Sequence, residues 1–122
     1  MKRDWEKIRK LLEVADEQTS LVGDIYEPKD GEWFNRNNMV EYLYHFNLIK
    51  DSGLIGTNSA IHAGGRMCID NLTMKGHDFL EAMKNDTTWK KIKEHFKTKG
   101  VDMTIDLIMA VAEKIVMKQL GL

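Results

Sequence analysis

Apolar residues recur at steps of three and four near the start of the chain, and charged residues fill the positions between them. This spacing predicts an amphipathic helix from about Asp4 to Glu17. Asp4 is its expected N-cap, because an aspartate side chain can accept a hydrogen bond from an unpaired backbone N–H of the first turn. The predicted buried stripe consists of Trp5, Ile8, Leu11, Leu12 and Ala15.

The helical period disappears between Ser20 and Phe34. A short extended or irregular segment is predicted there, ended by Pro28 and the turn-forming pair Asp30-Gly31. Its apolar residues are Leu21, Val22, Ile25 and Tyr26. No clear helix is predicted between Glu17 and Asn38.

A second helix is predicted to begin near Asn38, because Asn38-x-x-Glu41 resembles a capping box. It should end at Asp51-Ser52-Gly53, where glycine can adopt the left-handed conformation. The predicted buried stripe is Met39, Tyr42, Leu43, Phe46 and Ile49, which leaves Glu41, Tyr44, His45 and Leu48 on the opposite side.

Two short apolar stretches, residues 54–55 and 67–72, flank a glycine-rich polar tract and predict a β-hairpin with a long loop. Thr73 follows as the expected N-cap of a third helix, which buries Phe79, Leu80 and Met83.

Two more helices are predicted after a break at Asn85-Asp86-Thr87. The first runs from Trp89 to about Lys97 and is stopped by Gly100, with Trp89, Ile92 and Phe96 inward. The second runs from Asp102 to about Leu120, and its apolar residues cover more than half of its circumference. So wide a stripe fits either burial within the helix's own domain or pairing with a second copy, and of the two we expect a homodimer through this C-terminal helix.

Composition adds limits to this picture. With 122 residues and 43% apolar side chains, the chain is expected to form one domain, residues 1–122, divided into a core at 1–84 and C-terminal helices at 85–122. A formal net charge of −1 excludes a histone-like polyelectrolyte. One cysteine, the lack of a 20-residue apolar run and the lack of a signal-like N-terminus predict a cytoplasmic protein.

The predicted elements follow the order of a winged helix-turn-helix domain. A helix ends in Gly53-Leu54-Ile55, a hairpin follows, and Leu72-Thr73-x-x-Gly76 comes after the hairpin. The predicted fold class is therefore α+β, a winged-helix-like domain with a C-terminal helical extension. Four segments, residues 1–9, 44–55, 72–80 and 86–91, together resemble the uncharacterised bacterial and phage proteins of domain-of-unknown-function family 2513. That resemblance implies a small cytosolic protein of bacteria or mobile elements that acts as a regulator.

No residue pattern predicts catalysis, a cofactor or a metal. The soft metal ligands His45, His62, His77, His95 and Cys68 do not form the close pairs that structural zinc sites use. Cys68 lies in an apolar strand pattern and is expected to be a buried thiol. The glycines do not form a phosphate-binding motif, and no carboxylate pair is singled out as acid and base, so we expect a protein that is not an enzyme.

Contact with double-stranded DNA is the favoured function. A winged-helix domain places its second helix in the major groove and its hairpin on the backbone or minor groove. The predicted groove residues are Asn37, Asn38, Tyr44 and His45, and the predicted hairpin residues are Asn58, His62 and Arg66. Lys90 and Lys91 belong to a segment from Lys84 to Lys99 with a net charge of +4, which could bind phosphates.

A second hypothesis assumes the same fold but a protein partner in place of nucleic acid. Glu41, Tyr44, His45 and Leu48 form an acidic and aromatic face that suits contact with a host protein. The sequence thus predicts either a DNA-binding transcriptional regulator or a non-catalytic module that docks on another protein.

Overall fold

The first helix begins as predicted. The computed structural model describes residues 2–17 and 33–121, and the backbone of residues 20–23. Helix α1 is Trp5–Glu17, and the Asp4 carboxylate caps it by accepting hydrogen bonds from the N–H groups of Glu6 at 3.0 Å and Lys7 at 3.4 Å. The predicted interior is confirmed at four of five positions, since Trp5 is half-buried. The buried residues are Ile8, Leu11, Leu12, Val14 and Ala15.

The segment after α1 contains strand β1, Ser20–Gly23, which confirms an extended conformation for these four residues. The other residues of that prediction, Ile25, Tyr26, Pro28 and Asp30-Gly31, lie outside the described residues. Strand β1 pairs antiparallel with a later strand, Arg66–Ile69. This pairing was not predicted, because one short apolar run carries no information about its distant partner.

Helix α2 is Met39–Asp51, with the predicted bounds. The predicted capping box is wrong, because the Asn38 side chain makes no capping hydrogen bond. Its Oδ1 accepts instead from the Asn35 N–H at 2.9 Å, and its Nδ2 donates to the Trp33 carbonyl at 2.8 Å. Asn38 therefore stabilises the turn before α2. The helix ends at a Gly53 with φ of +76°, as predicted.

The predicted hairpin is confirmed and consists of β2, Ala60–His62, and β3, Arg66–Ile69. The loop is shorter than predicted, because β2 lies within the tract expected to be loop, and Gly64 and Gly65 turn the chain with φ of +80° each. Strand β3 is central, since the sheet order is β1-β3-β2. An isolated bridge between Ile55 and Leu72 extends the hairpin at its base.

Thr73 joins the hairpin to the third helix as predicted. Helix α3 is Met74–Lys84. The Thr73 hydroxyl accepts from the Gly76 N–H at 3.0 Å and donates to the Gly53 carbonyl at 2.6 Å. One side chain therefore caps the start of α3 and ties it to the end of α2.

The last two helices are α4, Asp86–Lys99, and α5, Ile105–Gln119, which pack against each other. Asn85 caps α4, so this helix begins three residues before the predicted Trp89, and Gly100 ends it with φ of +66°. The predicted start of α5 at Asp102 is wrong. Thr104 is the N-cap, because its side chain accepts from the Leu107 N–H at 3.2 Å.

The described residues form five helices and one three-stranded antiparallel sheet, which makes the chain α+β as predicted. The chain divides into two compact units, Met1–His77 and Asp78–Leu122, and the predicted division after residue 84 falls at the end of α3. Among the described helices, none combines the length and the apolar character needed to cross a bilayer.

Candidate nucleic-acid interface

The solvent-facing side of α2 centres on Tyr44. The buried side consists of Tyr42, His45, Phe46 and Ile49. Val40, Tyr44 and Asn47 share the opposite face because they lie four and seven residues apart. Val40 is 63% exposed, Asn47 is exposed and Tyr44 is half-buried. Val40 and Asn47 were missed from the sequence, although the same spacing, measured from Tyr44, identifies them.

His45 does not belong to this face, and its predicted contact with a base is wrong. It is 1% exposed. Its Nε2 accepts a hydrogen bond from the Asp4 backbone N–H at 2.7 Å, and its Nδ1 lies 2.6 Å from the Glu41 carbonyl oxygen. Since Nε2 accepts, the proton is on Nδ1, which donates to Glu41. The neutral ring therefore links the start of α1 to α2.

Two of the predicted groove residues, Asn37 and Asn38, lie in the turn before α2, and only Asn37 is available for contact with a base. Asn37 is exposed at the N-terminal end of the helix, as a groove contact requires. Both side-chain polar atoms of Asn38 are occupied by the turn, so Asn38 is removed from the base-contacting set. Arg36, which is exposed in the same turn, was missed because the prediction considered only the helix.

Lys7 is shared between the carboxylates of Glu41 and Asp4. Its Nζ lies 3.3 Å from Glu41 Oε2 and 3.3 Å from Asp4 Oδ2, and 5.4 Å from the Tyr42 ring centre. Such exposed pairs add little stability, and because Asp4 shares the ammonium, it offsets only part of the carboxylate charge that would repel a phosphate at this edge of α2.

The pKa values of this cluster follow from its contacts. Burial alone raises the pKa of Asp4, but the hydrogen bonds and charge of Lys7 and the Glu6 N–H outweigh burial and hold the pKa below its ordinary value. Burial lowers the pKa of Lys7, yet its bonds to Glu41 and Asp4 raise it overall. Burial raises the pKa of Tyr42.

Asp4→Ala is expected to lower the free energy of unfolding by about 1 kcal/mol at pH 7, because α1 loses its cap. The folded-state pKa of Asp4 is depressed, so its contribution is present above about pH 4 and decreases as the pH falls through the folded value. Urea unfolding of both proteins at pH 7 and pH 2.5 measures this. Asp102→Ala, an exposed aspartate outside the helices, is the control, and an Asp4 difference of equal size at both pH values contradicts the assignment.

The hairpin tip lies directly against the start of α2. A Cβ built on Gly65 would be 2.7 Å from the Met39 sulfur and 3.8 Å from Leu43 Cδ1. The predicted hairpin residues Asn58, His62 and Arg66 are all exposed. The hairpin thus flanks the outward face of α2 on the Leu43 side, while the Lys7–Glu41 pair flanks it on the other.

Lys90 and Lys91 are exposed on α4, in the second compact unit.

Cys68 is half-buried in β3, less than the buried thiol that the sequence predicted. Within residues 2–17, 20–23 and 33–121, no group of three or more His, Cys, Asp or Glu side chains is arranged to hold a metal ion.

These observations define an α+β protein in which a helix and an antiparallel hairpin share one exposed edge. The chain belongs to the family described as "Hypothetical protein (DUF2513)", whose model matches residues 2–102. This confirms the resemblance seen in the sequence. The chain is also similar to an uncharacterised protein of Haemophilus influenzae, 32% identical over 122 residues that cover 99% of this chain and 100% of the relative. No solved structure matches the chain.

Proposed function

We propose that this protein is a small DNA-binding regulator that inserts α2 into the major groove and places the β2–β3 hairpin on the adjacent backbone. The observation that carries the proposal is the contact of Gly65 with Met39, which sets the hairpin beside the outward face of α2. A winged helix uses these two elements together to contact one stretch of duplex.

The connectivity supports the same interpretation. Helix α1 precedes β1, and α2 leads into the β2–β3 hairpin, which feeds α3 directly through Thr73. Strand β1 adds a third antiparallel strand beside the hairpin, in the order β1-β3-β2. The turn at residues 36–38 precedes α2, where the proposal places the approach to DNA.

Each exposed side chain has a chemical role in the proposal. Asn37 in the turn before α2 and Asn47 on α2 have amides that can pair with adenine, and Val40 can contact a thymine methyl group. Arg66 and His62 on the hairpin supply phosphate contacts. Asn58 was predicted on the hairpin but lies in the turn before β2, where it adds an exposed amide donor.

The proposed homodimer would use α5, where Leu107 is an exposed large apolar residue, as is Leu120 at the C-cap. A two-fold pair would present two copies of α2 to successive turns of a duplex. Sedimentation equilibrium of the full chain tests this, and a monomer at all concentrations would contradict it.

The alternative, docking on a host protein through Glu41, Tyr44, His45 and Leu48, loses support from the geometry. His45 is buried, and Tyr44 and Leu48 are each half-buried. The Glu41 carboxylate is paired with Lys7.

Arg66→Ala is expected to weaken binding to a labelled random duplex and to reduce the slope of log affinity against log salt by about 1, because one phosphate contact is lost. Asn47→Ala, which removes a proposed base contact, should leave that slope unchanged. Fluorescence anisotropy at several salt concentrations measures both.

Lys75→Ala is the matched control for this experiment, since it removes an exposed positive charge on α3, outside the proposed interface. Its slope should equal that of the wild type. If Arg66→Ala and Lys75→Ala gave the same slope, the hairpin would not be a phosphate-contacting element.

A further inference from the structure

A groove of about 700 Å³ crosses the second unit between α3, the start of α4 and α5. Its floor is apolar and includes Ala82, Met109, Ala112, Val116 and Met117. Val116 and Met117 are 48% and 44% exposed, which is unusual for large apolar side chains in a concave surface. Methionine adapts its shape to different partners, so this floor suits the packing of another protein segment.

The two walls of the groove are acidic. Asp78 and Glu81 lie on the α3 wall, and Asp106 and Glu113 lie on the α5 wall. None of the thirteen described residues that line the groove is lysine or arginine. Carboxylates on both walls of a cleft reinforce each other's potential, so the groove attracts cationic groups and repels acidic ones.

The length of the groove also limits its occupant. The α5 wall runs from Asp106 to beyond Met117, which is about 16 Å along a helix axis. An apolar channel of that length between two helices accepts about three turns of a third helix, whose apolar side enters the groove.

We propose that this groove binds a basic amphipathic helix of another protein. Leucine, isoleucine or methionine side chains of that helix would contact the floor near Met109 and Val116. Its lysine and arginine side chains, on the flanks of the apolar stripe, would lie against the two carboxylate walls. The assignment stands independently of DNA binding, because it uses none of the residues of the α2 and hairpin surface.

Within the part of the chain that the structure describes, the basic helix α4 of a second copy does not offer such a segment. The basic helix α4 buries its own apolar residues Trp89, Ile92 and Phe96. A two-fold contact through the groove would also place the same acidic walls on both sides of the interface, where like charges oppose association. The proposed homodimer would therefore use the part of α5 around Leu107, which does not line the groove.

The test uses a labelled 16-residue helical peptide with leucines at every third or fourth position and lysines elsewhere, titrated with the full chain. A second peptide has glutamate in place of every lysine. The wild type should bind the lysine peptide and not the glutamate peptide. The variant E81K/E113K should lose about tenfold in affinity for the lysine peptide and gain affinity for the glutamate peptide.

The matched control is E17K/E94K, which makes the same change in net charge at two exposed positions outside the groove. It should behave like the wild type. The proposal is overturned if neither peptide binds, if both bind equally, or if the two double variants are indistinguishable. It is also overturned if sedimentation shows a dimer that Val116→Lys dissociates, because the occupant is then a second copy.

Discussion

Gly76→Ala is expected to lower the free energy of unfolding by about 3 kcal/mol, at the upper end of the range for forced overlap in a packed site. A Cβ at residue 76 would overlap the Leu54 carbonyl oxygen and lie 3.0 Å from the Leu54 carbonyl carbon. Both atoms belong to the backbone and cannot move aside as a flexible side chain can. Urea unfolding followed by circular dichroism measures the loss.

Helix propensity alone predicts the opposite sign for Gly76→Ala, so the measured change in stability separates propensity from steric overlap. Gly76 lies inside α3, and an exposed glycine in a helix interior gains about 1 kcal/mol on substitution by alanine. A variant as stable as the wild type would therefore mean that α3 does not approach the end of α2 as described.

Gly53→Ala is the control for the same experiment. Gly53 has φ of +76°, but no atom lies within 4 Å of its Cβ position. The expected loss is only the backbone strain of a left-handed alanine, about 1 kcal/mol. A larger loss at Gly53 than at Gly76 would contradict the steric argument.

His45→Phe is expected to lower the free energy of unfolding by about 2 kcal/mol, the second large effect. Phenylalanine keeps a ring of similar size but cannot accept the hydrogen bond from the Asp4 N–H or donate to the Glu41 carbonyl. Leaving a buried donor without a partner costs more than the bond contributes. Chemical unfolding at neutral pH measures the difference.

His62→Phe is the matched control, because His62 is exposed on the hairpin. It should change the free energy of unfolding by less than about 0.5 kcal/mol. Equal losses at the two positions would show that the effect comes from the phenylalanine itself and not from the buried link between α1 and α2.

The helix order could be predicted from the sequence because its signals are local. Asp4, Thr73 and Asn85 each accept a backbone hydrogen bond within three residues, so a short window of sequence contains both partners. The failure at Asn38 has the same origin. Its side chain had two local alternatives, capping α2 or stabilising the preceding turn, and the pattern of residue types does not distinguish them.

The candidate site was less predictable because it depends on distant contacts. His45 looked exposed from helical spacing, but its partner Asp4 is 41 residues away. The pairing of β1 with β3 and the contact of Gly65 with Met39 are likewise long-range. The hairpin residues were placed correctly on the surface, because a hairpin between two apolar stretches exposes its polar tip whatever lies beside it.

The most direct test of DNA binding is the salt dependence of wild-type affinity for a random duplex between 50 and 200 mM salt. The cationic phosphate contact of Arg66 on the hairpin predicts a slope of about −1 or steeper in log affinity against log salt. Failure to bind duplex at the lowest salt, or an affinity that does not change with salt, would contradict the account.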